Sequence, residues 1–160
     1  MMASVREYVA AWRQRHPDLA PVAELGSYDI NGGIRDIVPV VGFDILPGPG
    51  VDCVIVPGAI PIHHRNRYQA VLSLDSFPYD PVPERYIDQI LDLLAPGGRL
   101  LLIACNANCR HRHTTSPNSL GHVDQTRWTN EQFRQRLGAW FEGQVTPLSA
   151  ERMAYEGVLR

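Results

Sequence analysis

The run Arg99-Leu100-Leu101-Leu102-Ile103-Ala104 is apolar at every position after its first and follows the turn signal Pro96-Gly97-Gly98. A strand that buries one face alternates apolar with polar residues, whereas a continuous apolar run suits a strand in a sheet covered on both faces. Shorter apolar runs repeat the theme upstream, at Val22 to Leu25, Val40 to Asp44, Val51 to Val56 and Ala70 to Leu74. Each is closed by glycine, proline or aspartate, residues suited to turning the chain at a strand end. Helical spacing surrounds them. Val5, Tyr8, Val9 and Trp12 predict an opening amphipathic helix to about His16, and Tyr86, Ile87, Ile90, Leu91 and Leu94 predict a second from near Pro83. Thr129 can cap a third that carries Phe133, Leu137 and Trp140 on one side, with Glu131 and Gln132 in its first turn. Val145 to Leu148 and Met153 to Leu159 read as short strands of a terminal antiparallel pair. The expectation is one α/β domain over residues 1–160, with 1–20 an N-terminal helical extension, built on a doubly wound, mostly parallel sheet.

Some connections are short. Ile30 to Pro39 has room for one or two helical turns, and Ile62 to Arg67 for little more than a turn. In an open sheet of this kind, ligands bind beyond the C-terminal strand ends, near the reversal of strand order. Two of those ends carry matching chemistry. Gly26 removes the side chain where the first strand turns and leaves backbone groups open to a ligand, and Asp44 ends the second strand, where a carboxylate can accept both ribose hydroxyls. Together they point to a nucleoside-containing ligand, although a strand, a glycine-rich turn and a strand also occur as plain supersecondary structure. Gly26 is followed by Ser27 and Tyr28, so the Gly-x-Gly-x-x-Gly fingerprint is absent and a dehydrogenase is disfavoured. No Gly-Lys-Ser/Thr ending is present, which argues against a phosphate-cradling nucleotidase.

The formal net charge is −2, which gives no general attraction to nucleic acid, and no aromatic-interleaved basic groove can be placed, so no nucleic-acid partner is expected. No apolar run approaches the ~20 residues of a membrane span, and Arg6, Glu7, Arg13 and Arg15 interrupt any signal core, so neither membrane insertion nor secretion is expected and the cytoplasm is the default. Three cysteines, Cys53, Cys105 and Cys109, cannot all pair within one chain, and Cys53 and Cys105 fall inside strands where buried thiols are expected. Cys105-x3-Cys109-x-His111-x-His113 contains competent zinc ligands but lacks a Cys-x2-Cys pair, so no metal is expected.

With these elements placed, the chain resembles the class I, Rossmann-like methyltransferases that use S-adenosylmethionine. Glu24-Leu25-Gly26 is similar to the family's first motif, and Ser27 to Gly32 to a variant of its glycine loop. Asp44 in Val41-Gly42-Phe43-Asp44-Ile45 matches the acid that holds the ribose; Leu93 to Leu101 resembles the helix end, Pro-Gly-Gly turn and fifth strand; Trp128 to Phe133 resembles the segment that caps a late helix. The resemblance runs from about Pro21 to Phe141. It implies S-adenosylmethionine as cofactor, S-adenosylhomocysteine as product, and Glu24, Gly26, Ser27, Tyr28, Asp44, Ile45, Gly58, Ala59 and Leu74 as cofactor-binding residues. It also implies a small-molecule, glycan or peptide-linked biosynthetic acceptor. The family often has an acid near the adenine amine after the third strand, where this chain has Pro57-Gly58-Ala59, so backbone groups or apolar contacts from Ile45, Ala59 or Ile60 would have to serve.

Methyl transfer needs the acceptor lone pair in line with the methyl group, and positioning can supply much of the rate. A hydroxyl or ammonium acceptor would gain from a nearby base. Asp75, His111 and His113 are the catalytic candidates, with His63, His64, Tyr79 and His122 also expected on the ligand side. The alternative is a catalytically inactive protein of this fold that scaffolds or binds a partner in a biosynthetic pathway; the expected protein partner is a second copy of the chain or a pathway protein, and exposure of Trp12, Trp140 or Phe141 would favour a partner surface.

Overall fold

The structure, a computed structural model, describes residues 3–30, 32–109 and 123–160. Among these residues, seven strands form one sheet in the order β3-β2-β1-β4-β5-β7-β6. They are β1 (Val22–Leu25), β2 (Val41–Asp44), β3 (Cys53–Val54), β4 (Tyr68–Leu74), β5 (Leu94–Cys105), β6 (Phe141–Pro147) and β7 (Arg152–Leu159). The first five run parallel, and β7 lies antiparallel to both β5 and β6, with Leu102 opposite Tyr155 and Val145 opposite that same Tyr155. The chain winds outward from β1 to β3, then returns to place β4 on the other side of β1, so the strand order reverses between β1 and β4.

Alternation along the central strands feeds two cores. Val71, Leu100, Leu102 and Ala104 pack with α2 (Pro83–Leu93) and α3 (Asn130–Leu137), through Ile87, Ile90, Phe133 and Leu137. Ala70, Leu72, Leu101 and Ile103 face the other way onto Val5, Val9 and Trp12 of α1 (Ala3–Arg15), with Ile34 and Val38 completing that layer. This is why β5 is apolar at successive positions: neither face meets water. The N-terminal helix is therefore part of the core, with Val5 and Val9 fully buried.

Several boundaries differ from expectation for local reasons. The third strand shrinks from Val51–Val56 to Cys53–Val54 because it is a sheet edge and Asp52 is diverted, its Oδ2 accepting the Gly42 N–H at 2.7 Å and pairing with Arg35. The connection between β1 and β2, by contrast, keeps to the one or two turns expected of it: Ile34 to Val38 makes one turn, with the Ile37 and Val38 N–H groups both donating to the Ile34 carbonyl at 2.8 Å. The third helix stops at Leu137 with Gly138 as its C-cap, so Trp140 is on the following turn and β6 begins at Phe141. Its start is a full capping box, Thr129 Oγ1 accepting from Gln132 N–H at 3.1 Å while Gln132 Oε1 accepts from Thr129 N–H at 2.8 Å. Cys53 and Cys105 are only half-buried, one on the edge strand and the other at a strand end beside a cavity. No helix among the described residues is long and apolar enough to cross a membrane.

Candidate functional site

A cavity of about 1030 Å³ opens where β1, β2, β4 and β5 end, at the reversal of strand order. Its first wall is the turn after β1. Gly26 has φ +79°, and a Cβ there would lie 2.1 Å from Ser76 Cβ, so both the backbone conformation and the close approach of the β4 loop require glycine. The turn is pinned from below: the Tyr86 and Ser76 hydroxyls donate to the Leu25 carbonyl at 3.1 and 3.0 Å, and Ser73 Oγ is 2.9 Å from the Tyr86 hydroxyl. Phe77, Trp128 and Phe133 pack with ring centroids 4.8 to 5.4 Å apart beneath the β4 loop and hold the opposite wall.

Asp44 closes β2. Its Oδ2 accepts the Tyr28 N–H at 3.0 Å and its Oδ1 the Leu46 N–H at 3.1 Å, which fixes the carboxylate and leaves a second lone pair on each oxygen. Glu24 lines the cavity from β1 and is only 6% exposed. Burial pushes its carboxyl up to about 7, with the nearby Arg35 guanidinium pulling the other way. Ser27 also lines the cavity, and its buried Oγ has no hydrogen-bond partner among the described residues. Tyr28, Ile45 and Leu74 complete this side.

Asp75 begins the other side. It holds a left-handed conformation, φ +59°, unusual for a residue with a side chain, and its Oδ1 accepts from Arg152 Nε of β7 at 3.0 Å. Burial raises the Asp75 carboxyl above its ordinary range, and Arg152 offsets part of that rise. Tyr79, Cys105 and Gln125 line the cavity next to this pair. Cys109 Sγ is 3.1 Å from Cys105 Sγ, and burial raises the Cys105 thiol.

The cavity thus gathers Glu24, Gly26, Ser27, Tyr28, Asp44, Ile45, Leu74 and Asp75. Gly58 and Ala59 are not among its lining residues: their turn closes on itself through Ala59 N–H to Val56 carbonyl, 2.9 Å, and a Cβ on Gly58 would meet Arg85. His111 and His113 lie outside the described residues, as does His122. His63 and His64 are not on the ligand side. His64 Nδ1 is 2.8 Å from the Tyr68 hydroxyl and its ring packs edge-on against Phe43, which places both histidines near the start of β4. Burial lowers the His64 imidazole. Among the described residues no group of three or more His, Cys, Asp or Glu side chains is placed to hold a metal ion.

Sequence reasoning passed over Arg85, Gln89 and Arg152, which also line the cavity. Gln89 did leave a signal, as a polar residue between the apolar positions Tyr86, Ile87 and Ile90. Arg152 left none, because only the register of β7 against β5 brings it opposite Cys105.

No protein-family model and no curated protein matches the chain. Solved structures do. The chain is similar to the 1,6-didemethyltoxoflavin-N1-methyltransferase of Burkholderia thailandensis, solved with 1,6-didemethyltoxoflavin and S-adenosylhomocysteine, at TM-score 0.67 and 14% identity over 98% of this chain and 78% of that one. A SAM-dependent methyltransferase of Thermotoga maritima matches at TM-score 0.62 and 15% identity over 98% and 96% of the two chains. One from Aquifex aeolicus matches at 0.63 and 11% over 94% and 89%. The fold is that of the class I, Rossmann-like methyltransferases.

Proposed function

We propose that the chain binds S-adenosylmethionine in this cavity and transfers its methyl group to a small-molecule, glycan or peptide-linked acceptor. The observation that carries the reading is the fixed Asp44 carboxylate at the end of β2, facing one cavity with the Gly26 turn at the reversal of strand order. When bound, the cofactor supplies an electrophilic methyl group on a sulfonium. Asp44 would accept the ribose hydroxyls on the lone pairs its backbone contacts leave open. Ser27 Oγ, buried without a partner, would find one in the ligand, and Glu24 would meet its positive charge. Gly26, Tyr28, Ile45 and Leu74 shape the remainder of that wall. Asp75, oriented by Arg152, takes the proton released by the acceptor, and His111 and His113 are proposed for the same role.

Calorimetry with S-adenosylmethionine and S-adenosylhomocysteine tests this. The expected result is one-site binding that Asp44→Ala weakens roughly ten-fold to a hundred-fold, the worth of hydrogen bonds to a charged group. Absence of heat together with absence of thermal stabilisation would overturn the proposal.

A second reading, an inactive scaffold of this fold, is favoured by one feature. The β3 edge exposes Val54, Val56 and Ile62 at 53%, 70% and 85%, and Trp140 is 49% exposed, whereas Trp12 and Phe141 are buried. Under that reading Asp44→Ala leaves partner function intact.

A further inference from the structure

The face of α2 that packs on the sheet is interrupted by Gln89, which is 4% exposed. Its Nε2 is buried and has no hydrogen-bond partner among the described residues. Buried polar groups are almost always bonded, so an orphaned donor asks what satisfies it. Gln89 lines the cavity, whose wall also includes Ile45, Ile55 and Pro57, apolar residues that follow Asp44 or border the end of β3. One turn earlier on α2, Arg85 lines the same cavity; its Nε is also buried without a partner among the described residues, although its Nη2 donates to Asp80 Oδ1 at 2.7 Å. Nearby backbone donors are already used, Ile55 N–H on the Asp44 carbonyl at 2.8 Å and Ala59 N–H on the Val56 carbonyl at 2.9 Å.

We infer that Gln89 reads the adenine of the bound cofactor, its carboxamide donating to a ring nitrogen and accepting from the 6-amino group, in place of the carboxylate this chain lacks at Gly58. The inference rests on the cofactor reading above. Adenine presents an amino donor beside a ring-nitrogen acceptor, and a carboxamide presents the complementary pair, which an ionised carboxylate cannot. Apolar residues beside the ribose-binding acid suit the faces of a heteroaromatic ring, with a few polar groups fixing its orientation. Gln89 is thereby a specificity residue: it contributes more to choosing adenine than to filling the slot.

The test is calorimetry of S-adenosylhomocysteine and of its analogue with unsubstituted purine in place of adenine, on the wild-type chain and on Gln89→Met, with a thermal melt to check folding. The wild type is expected to bind the purine analogue about ten-fold more weakly, the worth of one hydrogen bond, and Gln89→Met to bind both ligands alike. A role confined to packing would weaken both ligands equally and preserve the ten-fold preference, which would overturn the inference. Equal affinity of the wild type for the two ligands would overturn it without any substitution. Binding of neither ligand by the wild type would overturn the cofactor reading and this inference with it, whereas wild-type binding with preference retained in Gln89→Met overturns this inference alone.

Discussion

Replacing Glu24 with glutamine should stabilise the protein by an amount that grows with pH between 4.5 and about 7 and stays level above that. Glu24 is 6% exposed on β1, and burial raises its carboxyl from 4.5 to about 7. A raised folded-state value means that the folded chain holds a proton that the unfolded chain has already released. Between 4.5 and about 7, the unfolded state therefore binds fewer protons, and stability falls as pH rises. Each pH unit in that window carries about 1.4 kcal/mol, so ionising Glu24 costs the ligand-free fold about 3 kcal/mol by pH 8. Below pH 4.5 the carboxyl is protonated in both states and that cost is absent. Glutamine keeps the shape and never ionises. Urea titrations of both proteins from pH 4.5 to pH 8 isolate this residue, because every other titrating group contributes to both curves. The difference in unfolding free energy should shift in favour of Glu24→Gln by about 3 kcal/mol across the range, or roughly 6 to 12 °C in Tm for a chain of this size. Parallel curves would refute the reasoning, since they would mean that Glu24 titrates alike in the folded and unfolded chains.

Binding of S-adenosylmethionine near pH 6.5 should release protons as its positive charge draws Glu24 to the ionised form, so the calorimetric heat should depend on the ionisation enthalpy of the buffer and lose that dependence in Glu24→Gln. Thr129→Ala removes the capping box of α3 and should cost about 1 kcal/mol, whereas Thr129→Ser should restore most of it; urea midpoints distinguish the two. Trp12→Ala should cost about 3 to 5 kcal/mol, because the indole is buried between α1 and the sheet, and a melt indistinguishable from wild type would show that α1 is not part of the core.

What could be read from the sequence was whatever depends on neighbours along the chain. The apolar run of β5 announces two covered faces, Thr129 and Gln132 announce a helix start, and Gly26 and Asp44 each stand at the end of an apolar run. Elements whose limits are set by partners across the sheet were harder. Val51 to Val56 has the composition of a strand, but an edge position and the diversion of Asp52 to Gly42 and Arg35 leave only Cys53–Val54 paired. The end of α3 was legible by contrast, since Gly138 weakens the helical spacing of Phe133, Leu137 and Trp140, and the helix stops at Leu137 with Gly138 as its cap. His63 and His64 follow β3 in sequence and so read as ligand-side residues, yet the short crossover has already carried the chain back to the start of β4, where His64 meets Tyr68.

That short crossover also shapes the site. Between β3 and β4 the helical structure amounts to the 3-10 turn Ile62–His64, so no longer helix from that connection covers the cavity beside the β3 end. The side chains there come instead from α2, one connection later, where Arg85 packs against Gly58 and Gln89 lines the cavity. A residue at Gly58 large enough to carry a carboxylate would collide with Arg85, its Cβ alone lying 2.9 Å from Arg85 Cδ, and would have to adopt φ +83°. The short connection, the glycine at position 58 and the approach of α2 to the cavity thus fit together in space. The glycine is visible in the sequence as a departure from a familiar pattern; the polar residue on the buried face of α2 acquires meaning only when the sheet order brings α2 to the cavity.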